Sequence, residues 1–425
     1  MSFGALGLCD ELLKTVAEQG YTTPSPIQME AIPAVLSGRD VMAIARTGTG
    51  KTAGFTLPML QLLSAGSAAE PSQVRALVIA PTRELAAQVA DNIQTYSRHL
   101  TLRAAVVYGG VNIEAQIAQL QTGLDVLVAT PGRLLDLYDR GAINFDTLEI
   151  LVLDEADRML DLGFIDAIRR IQSLLPPQRQ TLMFSATLSK AIKALVKGML
   201  NNPQVIETSA ANSTGDSIKQ TLHPVDKARK TEALIHLIKQ HNWQQVLVFT
   251  RTRRGADELS QQLIDVGISA ESIHSNRSQH ARTAALAGFS NGEIAVLVAT
   301  DIAARGLDVS QLPYVINVDL PYVPEDYVHR IGRTGRAGTT GLAVSLVSLD
   351  EAKQLQSIER LIGRQFKREI IPGFEPTEKP PEKSPQVLPG DEWGNFEADE
   401  KPAKRRGRGR GRARERTKGR PQARK

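Results

Sequence analysis

The eight residues Ala45-Arg46-Thr47-Gly48-Thr49-Gly50-Lys51-Thr52 constrain this chain more than any other stretch. They follow a short apolar run, residues 40–44, and lead into a helix-capable segment. A strand, a glycine-bearing loop and a helix in that order make the unit that wraps phosphate. Glycines let the backbone curl until its N–H groups converge on anionic oxygens, and the following helix adds a favourable dipole. Lys51 is then placed to neutralise β- and γ-phosphates, and Thr52 to offer its hydroxyl to Mg²⁺. Position 45, glycine in the general pattern, is alanine.

Beyond Thr52, short apolar runs alternate with longer helix-capable stretches. The runs at residues 75–80, 103–107, 126–129, 149–153 and 181–184 are rich in Val, Ile and Leu and lack polar alternation. Strands covered on both faces read this way, and the repeated strand–helix order predicts a doubly wound parallel sheet. Residues 209–217 are small, polar and aperiodic, which reads as a linker. A second alternating series follows, with runs at residues 221–225, 246–249, 270–273, 295–299, 315–318 and 343–347. It holds no further Gly-Lys-Ser/Thr, so it is not expected to bind a nucleotide in the same manner. The expected fold class is α/β, with two tandem doubly wound parallel-sheet domains. An N-terminal segment spans 1–30, the nucleotide-binding domain 31–208, the second domain 218–372 and a basic tail 373–425.

Composition narrows the partners. No apolar run approaches the ~18 residues of a membrane-spanning helix. The N-terminus lacks a basic start followed by an apolar stretch, so neither membrane nor secretion is expected. Cys9 is the single cysteine, which excludes an intrachain disulfide and suits the cytoplasm. The net charge of +5 is unevenly shared: residues 401–425 hold 13 Lys and Arg against one acidic residue, so this stretch carries +12 and the rest −7. Residues 404–416 alternate Arg with Gly, a composition that cannot bury a core and is expected to be disordered. Such a tail either meets polyanions such as RNA, with strong salt dependence, or only solubilises. With 19 aromatics spread over the chain, a base-stacking platform is not expected. Nucleic acid would be gripped by its backbone.

In a doubly wound sheet, ligands gather beyond the carboxyl ends of the strands, and the polar motifs fall there. Residues 149–153 lead into Asp154-Glu155-Ala156-Asp157. A carboxylate directly after a buried strand, paired with a phosphate loop, is the second Mg²⁺ element. Asp154 is assigned to Mg²⁺ through water, and Glu155 to polarising the attacking water. Asp157 also fits an acidic helix start. Pro81-Thr82-Arg83-Glu84, Gly109-Gly110 and Thr130-Pro131-Gly132-Arg133 close other strands. Each fits an ordinary strand–helix turn, and three on one edge favour a phosphodiester groove. Ser185 and Thr187 end another strand, as a relay between two sites or as a cap for the next helix. In the second domain, Arg330, Arg333 and Arg336 recur every three residues. A helix would align them on one face, as fingers for a γ-phosphate held by the first domain. Near the start, Pro26 and Gln28 read as helix-start residues, and the Gln28 amide also has the donor and acceptor that an adenine edge requires.

Asp154-Glu155-Ala156-Asp157 resembles the box that names the DEAD-box RNA helicases. The other motifs resemble theirs in order: residues 20–28, 45–52 with its alanine, 81–86, 130–133, 185–187, 248–250, Gln279 with Arg282, 300–308 and 329–336. The resemblance spans about residues 3–370, and residues 1–8 and 273–283 are similar to the bacterial RhlE-type branch, from which Ser275 and His280 depart. It implies two RecA-like domains, with ATP and Mg²⁺ as cofactors and RNA as partner. Phe3, Tyr21 and Gln28 would serve adenine, Asp308 the ribose, and Ala45 through Thr52 the phosphates. Lys51, Asp154, Glu155, His329, Arg333 and Arg336 would form the catalytic set. Pro81, Thr82, Arg83, Gly109, Gly110, Thr130, Gly132, Arg133, Thr300 and Arg305 would grip RNA, and Ser185 with Thr187 would couple the two sites. The implied activity is RNA-stimulated ATP hydrolysis coupled to local, non-processive unwinding of short duplexes or remodelling of RNA–protein complexes. Ribosomal or RNA-decay assemblies are the implied setting. The alternative is an ATP-gated RNA clamp that scarcely unwinds.

Overall fold

Two parallel sheets organise the residues that this computed structural model describes, 2–45, 48–208, 218–304, 312–335 and 341–377. Arg46, Thr47, Arg305, Asp308, Arg336, the expected linker and the chain beyond residue 377 lie outside the described residues. The first sheet holds β1 (Val41–Ile44), β2 (Val74–Ile79), β3 (Ala104–Val107), β4 (Leu124–Ala129), β5 (Ile150–Leu153), β6 (Gln180–Ser185) and β7 (Gln204–Glu207), in the order β3-β4-β2-β5-β6-β1-β7. The second holds β8 (Ile218–Pro224), β9 (Val246–Thr250), β10 (Ala270–Ile273), β11 (Val296–Thr300), β12 (Tyr314–Asn317) and β13 (Gly341–Val347), in the order β10-β11-β9-β12-β13-β8.

Strand β1 shows why the central strands read as unbroken apolar runs. Successive side chains point to opposite faces. Val41 and Ala43 join one core cluster, with Phe55 and Phe184, while Met42 and Ile44 join another, with Leu134 and Ile168. Each face is covered by helices, so no position along β1 is free to be polar. Asp40, just before the strand, accepts the backbone N–H groups of Thr181 and Asn201, both at 2.7 Å. These bonds lock β1 between its neighbours and so fix where the phosphate loop begins.

The edges depart from expectation. β3 is exposed at its first residue, and β7, absent from the expected runs, buries only Ile206. An edge strand has one neighbour and needs one apolar face, so its sequence alternates and escapes a search for apolar runs.

The helix Pro324–Ile331 also corrects an expectation. It ends at Gly332, and Thr334 pairs with Leu312 through a parallel bridge, so Arg330 and Arg333 do not share a helical face. Arg330 turns into its own domain. Its guanidinium donates to Asp301 at 2.5 and 2.7 Å, to Asn317 at 3.0 Å and to the Asp319 carbonyl at 2.5 Å, and lies 4.9 Å from the Phe249 ring centre. It thus ties together the ends of β9, β11 and β12.

After β8 the chain runs through Asp226, whose carboxylate accepts the Thr377 N–H at 3.0 Å and its hydroxyl at 2.6 Å. Arg229 donates to the Gly373 carbonyl at 2.8 Å and lies 4.5 Å from the Phe374 ring centre.

Candidate nucleotide and RNA sites

Gly50 stands at φ +86°, a conformation that L side chains rarely adopt, and begins the helix Lys51–Ser64. Its carbonyl accepts the Gln28 Nε2–H at 3.1 Å, while Gln28 Oε1 accepts the Ser25 N–H at 2.9 Å. Gln28 is therefore both a helix-start residue and a strut against the phosphate loop. A Cβ added at Gly50 would lie 2.5 Å from Gln28 Nε2. Gly50→Ala is expected to weaken nucleotide binding by about 10–100-fold, since strain of about 1–2 kcal/mol adds to displacement of the strut. Titration with a fluorescent ADP checks this, and unaltered affinity would show that the loop tolerates the side chain.

Lys51 is 6% exposed, and among the described residues its Nζ has no hydrogen-bond partner. It faces Asp154, which is 3% exposed. Burial pushes the Asp154 carboxyl up to about 7, opposed by the Lys51 charge and by the Glu155 N–H at 2.9 Å. A folded-state value above the unfolded one means that, as pH rises through about 4 to 7, the folded state alone keeps the proton and loses relative stability. Asp154→Asn removes that loss. The nucleotide-free variant is expected to gain on the order of 3 kcal/mol over wild type at pH 8 but little at pH 4. Urea unfolding at the two pH values checks this.

Glu155, two residues beyond β5 and capping the helix Ala156–Asp161, stands at φ +50°, rare for a residue other than glycine. Asp157, two residues on, accepts the Arg158 N–H through Oδ1 and the Ala186 N–H through Oδ2, both at 3.0 Å. It is a bolt between the ends of β5 and β6 rather than only a helix start. Ser185 donates its hydroxyl to the Thr187 carbonyl at 2.8 Å. The cap of the next helix is Ser189, which accepts from the Ile192 N–H at 3.2 Å.

The second domain meets this loop. The His329 imidazole is held below its ordinary value by burial, while Asp157 and Glu155 act to raise it and Arg333 and Arg158 to lower it. Thus His329 and Arg333 lie within electrostatic reach of the residues that follow β5. Phe3 packs into the first core with Leu6 and Leu12, and Tyr21 sets its hydroxyl 3.3 Å from that of Tyr96.

A cleft of about 500 Å³ runs along the strand ends. Pro81, Thr82, Arg83, Gly109, Thr130, Gly132 and Arg133 line it from the first domain, and Ser275, Arg282, Ile302 and Ala303 from the second. Gly110 abuts the Arg83 guanidinium, which an added Cβ would overlap. Arg133 is held by Gln116 Oε1 at 2.8 Å and the Val111 carbonyl at 3.1 Å. Thr300 is buried at the end of β11 and does not line the cleft. Glu84 was not expected to act. It accepts from Gln279 Nε2 at 3.0 Å and pairs with the Arg282 guanidinium at 2.9 Å, which bridges the two domains across the cleft. Its acidity, out of place in a phosphate groove, was the available signal.

A model of the DEAD/DEAH box helicases matches residues 25–195, and one of the helicase conserved C-terminal domain matches residues 229–338. The DEAD-box ATP-dependent RNA helicase RhpA of Helicobacter pylori (strain B128) is 43% identical over 371 residues, 87% of this chain and 74% of that one. This chain belongs to the DEAD-box helicase family. The helicase is also 42% identical over 367 residues to CshA of Geobacillus kaustophilus, covering 86% of this chain and 78% of the relative. S. cerevisiae Dbp5 bound to RNA and ADP BeF3 superposes with a TM-score of 0.77 at 31% identity, over 87% of this chain and 95% of that one. Mss116 bound to ssRNA and UDP-BeF gives 0.79 at 27% identity, over 89% and 81%. The two sheets of the helicase are thus RecA-like domains of that family.

Proposed function

We propose that this chain is an ATP-dependent RNA helicase that works by closing its two domains. ATP on the first domain and RNA in the cleft favour closure, and hydrolysis reopens it. The observation that carries the reading is the seam itself: Glu84 with Gln279 and Arg282 at the cleft, and His329 with Arg333 beside Glu155 and Asp157.

The residues fit a nucleotide carrying Mg²⁺. Lys51 offers a buried ammonium without a hydrogen-bond partner among the described residues, and Asp154 a buried carboxyl beside it. Thr52 and Asp154 would hold the cation, which would offset phosphate charge. Among the described residues no group of three or more His, Cys, Asp or Glu side chains is placed to hold a metal, so phosphate and water would supply its other ligands. Gln28 would take adenine and Asp308 the ribose. Glu155 would polarise the attacking water, while Arg333 and Arg336 stabilise the charge of the transition state.

Grip on the RNA backbone predicts little sequence preference. The basic tail would add non-specific, salt-dependent affinity. The duplexes opened would be short and the opening local, in ribosomal or RNA-decay assemblies of the cytoplasm. Steady-state ATP hydrolysis with and without single-stranded RNA tests this, beside strand separation of a short duplex. Strong stimulation by RNA together with strand separation supports the helicase. Stimulation without separation moves the reading to an RNA clamp, and indifference to RNA overturns both.

A further inference from the structure

Arg158 belongs to no part of the mechanism above, yet it occupies the seam. It is 4% exposed, and no acceptor among the described residues reaches its Nε, Nη1 or Nη2. The charged groups acting on it are Glu155, Asp161 and Asp157 from its own segment and Arg333 from the second domain, and Arg158 acts in turn on His329. Glu325, also from the second domain, acts on Asp161. Burial pushes the guanidinium down to about 10, so it remains a cation at neutral pH.

A guanidinium buried without hydrogen bonds is costly, because water solvated it and, among the described residues, no acceptor takes that water's place. Among the described residues no hydrogen bond ties it to Glu155, so it acts through its charge and its lost hydration. Across the seam its charge opposes closure. Bringing the second domain onto the helix Ala156–Asp161 sets Arg333 against a like charge in a place of low polarity.

We propose that Arg158 makes ATP hydrolysis depend on RNA, by disfavouring the closed state until RNA binding outweighs its cost. The inference rests on the RNA-coupled closure proposed above. In wild type, ATP alone closes the domains too rarely for rapid turnover. An apolar side chain of similar length at position 158 removes the opposition, whereas lysine keeps it.

The test compares Arg158→Met and Arg158→Lys with wild type in steady-state ATP hydrolysis. Arg158→Met is expected to raise the rate without RNA about tenfold and to leave the RNA-saturated rate within about twofold, so the stimulation ratio collapses. Arg158→Lys should behave as wild type. RNA affinity measured with a non-hydrolysable ATP analogue should tighten about tenfold in Arg158→Met. A side chain needed only for folding would lower both rates together and lower Tm. Should Arg158→Met melt early, Arg158→Gln, long and uncharged, is held to the same criteria. An unchanged rate without RNA in a variant of normal Tm overturns the inference, as does an unchanged RNA affinity. A wild-type protein whose ATPase ignores RNA would instead refute the coupled closure, whatever the variants do.

Discussion

Glu155→Gln is expected to cut RNA-stimulated ATP hydrolysis by about 10²–10⁴-fold while ATP and RNA still bind. The amide has the shape of the carboxylate but neither its charge nor its basicity. Glu155 sits in a left-handed turn held on one side by the hydrogen bond from its own N–H to Asp154 and on the other by Asp157, which is bolted to Ala186. That frame does not depend on the Glu155 side chain, so the substitution should spare the fold and the phosphate loop. Phosphate release in the presence of RNA gives the rate, and anisotropy of labelled RNA with an ATP analogue gives the binding. If more than a tenth of the wild-type rate survives, another group activates the water, and the role assigned to Glu155 is wrong.

Reversing the charge of Glu84 should be nearly as severe, at a different step. Glu84 and Arg282 are 6% and 11% exposed in their side chains and 2.9 Å apart, one from each domain. Breaking a buried ion pair from one side leaves a buried charge uncompensated, at about 3–5 kcal/mol. Glu84→Arg sets two guanidinium groups against each other across the cleft. RNA affinity in the presence of an ATP analogue is expected to fall by about 10²–10³-fold, whereas nucleotide affinity without RNA should hold. Arg282→Glu should do the same. The double swap, Glu84→Arg with Arg282→Glu, restores opposite charges and should recover at least tenfold of the loss. Failure of the swap to recover anything would mean that the pair does not support the closed state.

Much of this architecture was legible from the chain alone, and the failures share a cause. The central strands announced themselves because both faces are covered, which forbids polar residues along them. β7 did not, because an edge strand needs only Ile206 inside. The glycine-bearing loop between β1 and the helix Lys51–Ser64, and the acidic residues after β5, were legible as local patterns, and the strand–loop–helix order expected around them is present. Arg330 was misjudged for the same reason: three arginines at even spacing look like one helical face, but Gly332 ends the helix, and Asp301, Asn317 and Phe249 claim the first of them. Those partners come from separate strands. Glu84 and Arg158 escaped because their meaning lies in what faces them across the seam, about two hundred residues away for Glu84 and Gln279, and no local pattern carries that.

The two sheet orders correspond. Matching β3-β4-β2-β5-β6-β1 against β10-β11-β9-β12-β13-β8 pairs the strands one to one, with β7 as an addition to the first set. The two sheets of the described residues thus repeat one strand order. The place after β1 that holds the phosphate loop corresponds to the place after β8, where Asp226 and Arg229 bind the chain's own residues Gly373, Phe374 and Thr377. In the second sheet that place is taken by the chain's own residues 373–377.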